Sequence, residues 1–245
     1  MFNSGVEGKL GPIETLSARG LPTNPRLGYH HRHRAHITRG GKGAHVATSY
    51  TADEALQRLK DGNSRFVAGQ ARFLTVQKDV LAELAKDQHP YATILGCSDS
   101  RVPPELVFDA SFGELFVIRV AGNVLGSSIF GTLQYAGMHL HTPLFVVVGH
   151  AGCGAVKAAI ASKFHDAEQH SRIATLLENI VPALDDLDPA MPAAALLDAA
   201  IEANVRHTVR QLLQSPEGKA RAAEGKVELV GAVYELASGV VRFLD

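Results

Sequence analysis

Cysteine is scarce in this chain: among 245 residues only two, Cys97 and Cys153, carry a thiol. Two thiols, each just after an apolar stretch, argue against a disulfide-stapled secreted scaffold and for a reducing compartment. No run of about 18 or more apolar residues occurs anywhere, and residues 1–50 hold nothing like the apolar centre of a secretory signal. No membrane partner is therefore expected, and the chain reads as a soluble, cytoplasmic protein. Internal repeats and interdomain linkers are also missing. With 46% hydrophobic residues the chain can form one sizeable domain with an ordinary buried core.

Charge is nearly balanced overall but unevenly placed: residues 1–50 hold 7 Lys+Arg against 2 acids, and the remainder holds 17 against 23. The same 50 residues hold five of the twelve histidines, four of them in Tyr29-His-His-Arg-His-Arg-Ala-His36. Such a run can bind metal or polyanions, but its composition is that of a solvated, disordered tail, and no nucleic-acid partner is expected. The expected division is a basic tail, 1–50, and one catalytic domain, 51–245.

Order is expected to begin at Thr51, where Thr51-Ala-Asp-Glu54 has the spacing of a capping box and Leu56, Leu59 and Phe66 follow at helical intervals. A second helix is expected over Val76 to Ala85. Four short apolar runs then read as buried strands: 91–96, 115–120, 144–149 and 227–233. Between them, Ile129, Leu133, Ala136 and Leu140 mark one helix, and Leu197, Ile201, Val205, Val209 and Leu212 mark a longer one. Continuous Val/Ile/Leu strands alternating with amphipathic helices imply an α/β fold, a mainly parallel central sheet flanked by helices. The stretch Asp185–Pro192 reads as a surface loop.

Two of these strands run into polar sequences, Gly96-Cys-Ser-Asp-Ser-Arg101 and Gly149-His-Ala-Gly-Cys-Gly154. Sites in open α/β sheets form at the carboxyl ends of strands, so the two loops can bring Cys97, His150 and Cys153 together. Two sulfurs and one nitrogen suit tetrahedral Zn2+. Three protein ligands leave a fourth position, which makes a catalytic site if open and a structural one if filled. Asp99 can either occupy it or pair with Arg101, two residues on, and a switch between those states would gate the site.

These segments resemble the two zinc-binding motifs of the beta-class carbonic anhydrases. The similarity extends to Asp61-Gly-Asn-Ser-Arg-Phe66, Gly113-Glu-Leu-Phe-Val-Ile-Arg-Val-Ala-Gly-Asn123, Asn204-Val-Arg-His207 and Gly231-Ala-Val-Tyr-Glu235, and so covers roughly residues 51–245. The resemblance implies zinc ligands at Cys97, His150 and Cys153 and the family's aspartate–arginine pair at Asp99 and Arg101. It also implies a substrate pocket using Gln88, Phe116 and Tyr135, contributed partly by a neighbouring subunit. A homodimer or a tetramer of dimers follows, with the N-terminal helices packing on a partner. Members that bind inhibitory bicarbonate at a second site have a tryptophan three residues before the first cysteine. This chain has Ile94 there and no tryptophan at all, so that form of regulation is not expected.

The activity implied is reversible hydration of carbon dioxide to bicarbonate and a proton, by attack of zinc-bound hydroxide with Asp99 and Arg101 as the gating and orienting pair. Two alternatives stay open: a relative acting on carbon disulfide or carbonyl sulfide through the same ligands, and a structural zinc site closed by Asp99. A redox dithiol lacks Cys-x-x-Cys spacing and leaves His150 unexplained.

Overall fold

The computed structural model describes residues 50–72, 78–225 and 227–245. The tail, apart from Tyr50, and the expected start of the second helix at Val76 lie outside them.

The first helix, α1 (Ala52–Val67), starts as its sequence requires. Glu54 N donates to Thr51 Oγ1 at 3.2 Å and Thr51 N donates to Glu54 Oε2 at 2.8 Å, which satisfies two backbone donors that a helix start leaves free. Ala55 and Leu59 are fully buried on its inner face. One turn further, Asn63 ties α1 to two distant segments: its Nδ2 donates to the carbonyls of Val107 and Gly239, at 3.1 and 2.8 Å, and its Oδ1 accepts from Val241 N at 2.8 Å. Removing this carboxamide strands three buried backbone groups at about 1–3 kcal/mol each, partly relieved by relaxation. Asn63→Ala is therefore expected to lower stability by about 3 kcal/mol in urea denaturation. A loss below about 1 kcal/mol would show that these bonds contribute little.

A short α2 (Lys78–Leu84) precedes β1 (Ala92–Gly96). The chain continues through α3 (Pro104–Val107), β2 (Leu115–Arg119), α4 (Ser127–Tyr135), β3 (Leu144–His150), α5 (Gly154–Phe164), α6 (Ser171–Leu177), α7 (Ala193–Gln214), α8 (Pro216–Glu224), β4 (Glu228–Tyr234) and β5 (Val241–Leu244). The sheet order is β2-β1-β3-β4-β5. The first four strands are parallel and β5 pairs antiparallel with β4. The expected mainly parallel sheet is thus present, with an added antiparallel edge, and residues 185–192 form turns leading into α7.

All five residues of β1 are buried, as are six of the seven in β3. Successive strand residues point to opposite faces, so helices cover the sheet on both sides, which is why these strands read as unbroken apolar runs. Ile94, Leu95, Val146 and Val147 are at most 1% exposed, and each such side chain contributes roughly 1.5–3 kcal/mol by leaving water. The long helix α7 lies against β3 and β4. It comes unusually close at Gly149, where a Cβ would lie 2.6 Å from Val205 Cγ2, so only glycine admits the helix directly behind His150.

Candidate metal centre

Cys97 follows the last residue of β1, and His150 is the last residue of β3, its neighbour in the sheet. Three residues after His150, Cys153 caps the amino end of α5. The chain turns between them through Gly152, at φ +67°. Adjacent parallel strands ending at one edge therefore bring the donor atoms of Cys97, His150 and Cys153 within 4.8 Å of one another. All three residues are at most 5% exposed.

The donor set fits a cation. His150 Nδ1 lies 3.0 Å from the carbonyl of Ala151, which can only accept, so Nδ1 carries the proton and Nε2 presents a lone pair. That Nε2 is buried with no hydrogen-bond partner among the described residues. Two neighbouring thiols cannot both ionise readily without a positive charge between them. A hydrogen bond from Cys153 lowers the Cys97 thiol, with further help from His150 and the Gly122 amide, against the opposing effect of burial. The same bond, with burial, pushes the Cys153 thiol up, while the backbone amides of Val156 and Ala155 at the start of α5 favour its thiolate. Soft sulfurs beside an imidazole with a free lone pair are zinc chemistry.

Next to this cluster, Asp99 and Arg101 form a two-pronged ion pair: Arg101 Nε donates to Oδ1 at 2.9 Å and Nη2 to Oδ2 at 2.8 Å, and the Arg101 backbone amide adds a bond to Oδ1 at 3.0 Å. These bonds, outweighing burial, hold the Asp99 carboxyl well below the usual carboxylate range. Asp99 is thus engaged with Arg101 and stands outside the metal-binding trio. Arg119 braces the loop from β2, donating through Nε to the Cys97 carbonyl at 3.0 Å and through Nη2 to the Asp99 carbonyl at 2.6 Å.

Of the three residues expected to line the pocket, Gln88, Phe116 and Tyr135, Phe116 stands clear of this trio within one chain. Phe116 pairs in register with Thr93, four residues before Cys97, which is about 13 Å back along the strand. Gln88 is exposed in the segment before β1. Tyr135 ends α4, 47% exposed, with its ring 6.2 Å from Phe116 and 4.9 Å from His139. Phe116 and Tyr135 therefore form an aromatic wall, with Phe116 set back from Cys97.

Arg119 and Gly122 carry no signal of these roles in the sequence, although both fall in segments that carried the resemblance. Gly122 acts through its backbone amide, and Arg119 acts on backbone carbonyls, which carry no residue-type signature at the positions they serve.

A parallel α/β sheet whose carboxyl edge gathers two thiols and an imidazole defines a class, the α/β proteins with a built metal centre. Comparison with known proteins narrows it. The family model described as carbonic anhydrase matches residues 92–241. Carbonic anhydrase 2 of Mycobacterium tuberculosis is 37% identical over 186 residues, 76% of this chain and 89% of that protein. The carbonic anhydrase of Mycolicibacterium smegmatis is 36% identical over 77% of this chain and 91% of its own. Among solved structures, the beta-carbonic anhydrase CcaA matches with a TM-score of 0.65 and 27% identity, covering 78% of this chain and 87% of that one. The Coccomyxa beta-carbonic anhydrase in complex with acetazolamide matches with a TM-score of 0.61 and 28% identity, over 66% and 75%. The chain belongs to the beta class of the carbonic anhydrase family and is a carbonic anhydrase, a lyase. Among the described residues no helix is long and apolar enough to cross a membrane.

Proposed function

We propose that this carbonic anhydrase holds one zinc ion through Cys97, His150 and Cys153 and hydrates carbon dioxide to bicarbonate and a proton in a cytoplasmic setting, with Asp99 and Arg101 as its orienting pair. The observation that carries the reading is the unpartnered, buried His150 Nε2 facing two thiols that gain by sharing a cation. When bound, zinc acidifies a water enough for it to act as a nucleophile near neutral pH.

The surrounding residues then have distinct tasks. Asp99 stays ionised and is held still by Arg101, so its carboxylate can accept a hydrogen bond from the nucleophile and aim the oxygen lone pair at the substrate carbon. The new carbon–oxygen bond forms as one carbon–oxygen π pair moves onto the substrate oxygen. Gln88 donates a hydrogen bond to that oxygen as it gains charge, and the proton passes to solvent or buffer. Phe116 and Tyr135 supply the apolar wall for the linear substrate.

Phe116 lies well back along the sheet from the zinc ligands of its own chain, with Tyr135 beside it, which supports a site completed across a subunit boundary. A homodimer, or a tetramer built from dimers, is the assembly that supplies them, and sedimentation of the full chain tests it. The catalytic domain of this reading is residues 51–245, preceded by the basic tail, residues 1–50.

Metal analysis and stopped-flow hydration from mildly acidic to alkaline pH test the proposal, on the full chain and on a chain starting at Thr51. About one zinc per chain is expected, with hydration rising toward alkaline pH, because two thiolates donate more charge than neutral imidazoles and leave the activated water less acidic. Zinc without hydration at any pH would refute the proposal. Carbon disulfide and carbonyl sulfide would then be the next substrates to assay.

A further inference from the structure

The sulfur of Cys97 receives a hydrogen bond from the backbone amide of Gly122, N to Sγ 3.3 Å. Such a bond draws charge from a thiolate and sets how strongly it donates to a metal. This amide belongs to the residue type with the greatest backbone freedom, and Gly122 sits in the left-handed region at φ 70°, ψ 16°. A side chain is disfavoured there by the left-handed φ and by a Cβ position 3.2 Å from Ala155 Cβ and 2.7 Å from the end of the Ile180 side chain. The peptide on the other side of the Gly122 Cα is held as well.

Asn204, in the middle of α7 and 1% exposed, does this: its Nδ2 donates to the Gly122 carbonyl at 2.8 Å. One turn along the same helix, Thr208 Oγ1 donates more weakly, at 3.4 Å, to the carbonyl of Asn123, itself at φ 45°. Asn204 is a costly choice for packing alone. Its Oδ1, and Nδ2 of Asn123, are buried without a partner among the described residues, a burden that a leucine of similar size would avoid at position 204.

We propose that Asn204 is a positioning residue for the metal centre: by clamping the Gly122 carbonyl it aims the Gly122 N–H at Cys97 Sγ and so sets the donor strength of that sulfur toward zinc. This rests on Cys97 being a zinc ligand. The clamp acts from the helix that packs behind His150, so α7 supports two of the three ligands.

The test uses the full chain as Asn204→Leu, with Thr208→Val as a control that loosens the same turn without releasing Gly122. Zinc affinity is read by chelator competition, and the sulfur-to-metal charge-transfer band is read in the cobalt(II) form. Asn204→Leu is expected to move the band to longer wavelength, as a thiolate does on losing a donor, and to weaken zinc about 10–100-fold because the loop beside the sulfur is no longer held in place, while Thr208→Val leaves both unchanged. An unchanged band and affinity in Asn204→Leu, or equal changes in both variants, would overturn the inference. Should Asn204→Leu not fold, Asn204→Ala in the cobalt(II) form decides: the same shift of the band to longer wavelength is expected, and an unchanged band overturns the inference. Failure of the wild type to take up zinc or cobalt would overturn the zinc reading itself.

Discussion

Cys97→Ser is expected to strip the protein of most of its zinc and of its hydration activity together. The thiol is 5% exposed, close to Cys153 and His150, and receives the Gly122 amide. Serine nearly matches it in shape but ionises far less readily, so it offers zinc a poor, neutral oxygen in place of a soft anionic sulfur. The remaining ligands, one thiol and one imidazole, would hold the metal much more weakly. The loss in affinity is expected to exceed the roughly 10–100-fold that changes outside the ligand shell cost. Metal analysis after dialysis against a mild chelator, with stopped-flow hydration on the same sample, measures both quantities. A fully loaded, active serine variant would remove Cys97 from the ligand set.

Arg101→Ala is expected to separate the two properties: zinc stays, and turnover falls on the order of 10–100-fold. The guanidinium is 56% exposed and touches none of the three ligands, so its removal leaves them intact. It would free the Asp99 carboxylate, two residues from Cys97, which could then act as a competing ligand. The pH dependence follows from the direction of the Asp99 shift. Its folded value is depressed, so the contribution of the pair is complete above the unfolded carboxyl value of about 4 and is lost only as pH falls through the lower folded value. Across neutral and alkaline pH the pair does not titrate, and a rise in activity there reports the activated water. Wild-type turnover in Arg101→Ala would end the case for an orienting pair.

The strands that frame the trio were legible because both faces of β1 and β3 are covered, which leaves an unbroken apolar run ending abruptly at Cys97 and beside His150. The start of α1 was legible for a similar reason: the reciprocal bonds of Thr51 and Glu54 depend only on residue types three apart. The last strand was not. Val241–Leu244 is four residues long on a sheet edge, and no composition separates so short a run from a loop. The separation of Phe116 from Cys97 was legible only through the family resemblance, which puts part of the pocket on a neighbouring subunit; residue types alone do not reveal that Phe116 lies beside Thr93 and not beside the strand end. Nor does the sequence reveal that Asn204 reaches the Gly122 carbonyl across 82 residues, since most asparagines in helices serve their own surface.

The pairing of β1 with β3, from Thr93 beside Phe145 to Gly96 beside Val148, also orders events in time. Cys97 and Cys153 are 56 positions apart along the chain, with β2 and α4 between them, and come together only once those two parallel strands are in register. Contacts between such distant segments form late, after the helices have had ample opportunity to appear. A newly made chain with α1, α5 and α7 in place but β1 and β3 still apart carries every ligand and has nowhere to put a metal. The complete set of three donors is thus expected to assemble only with the β1–β3 pairing.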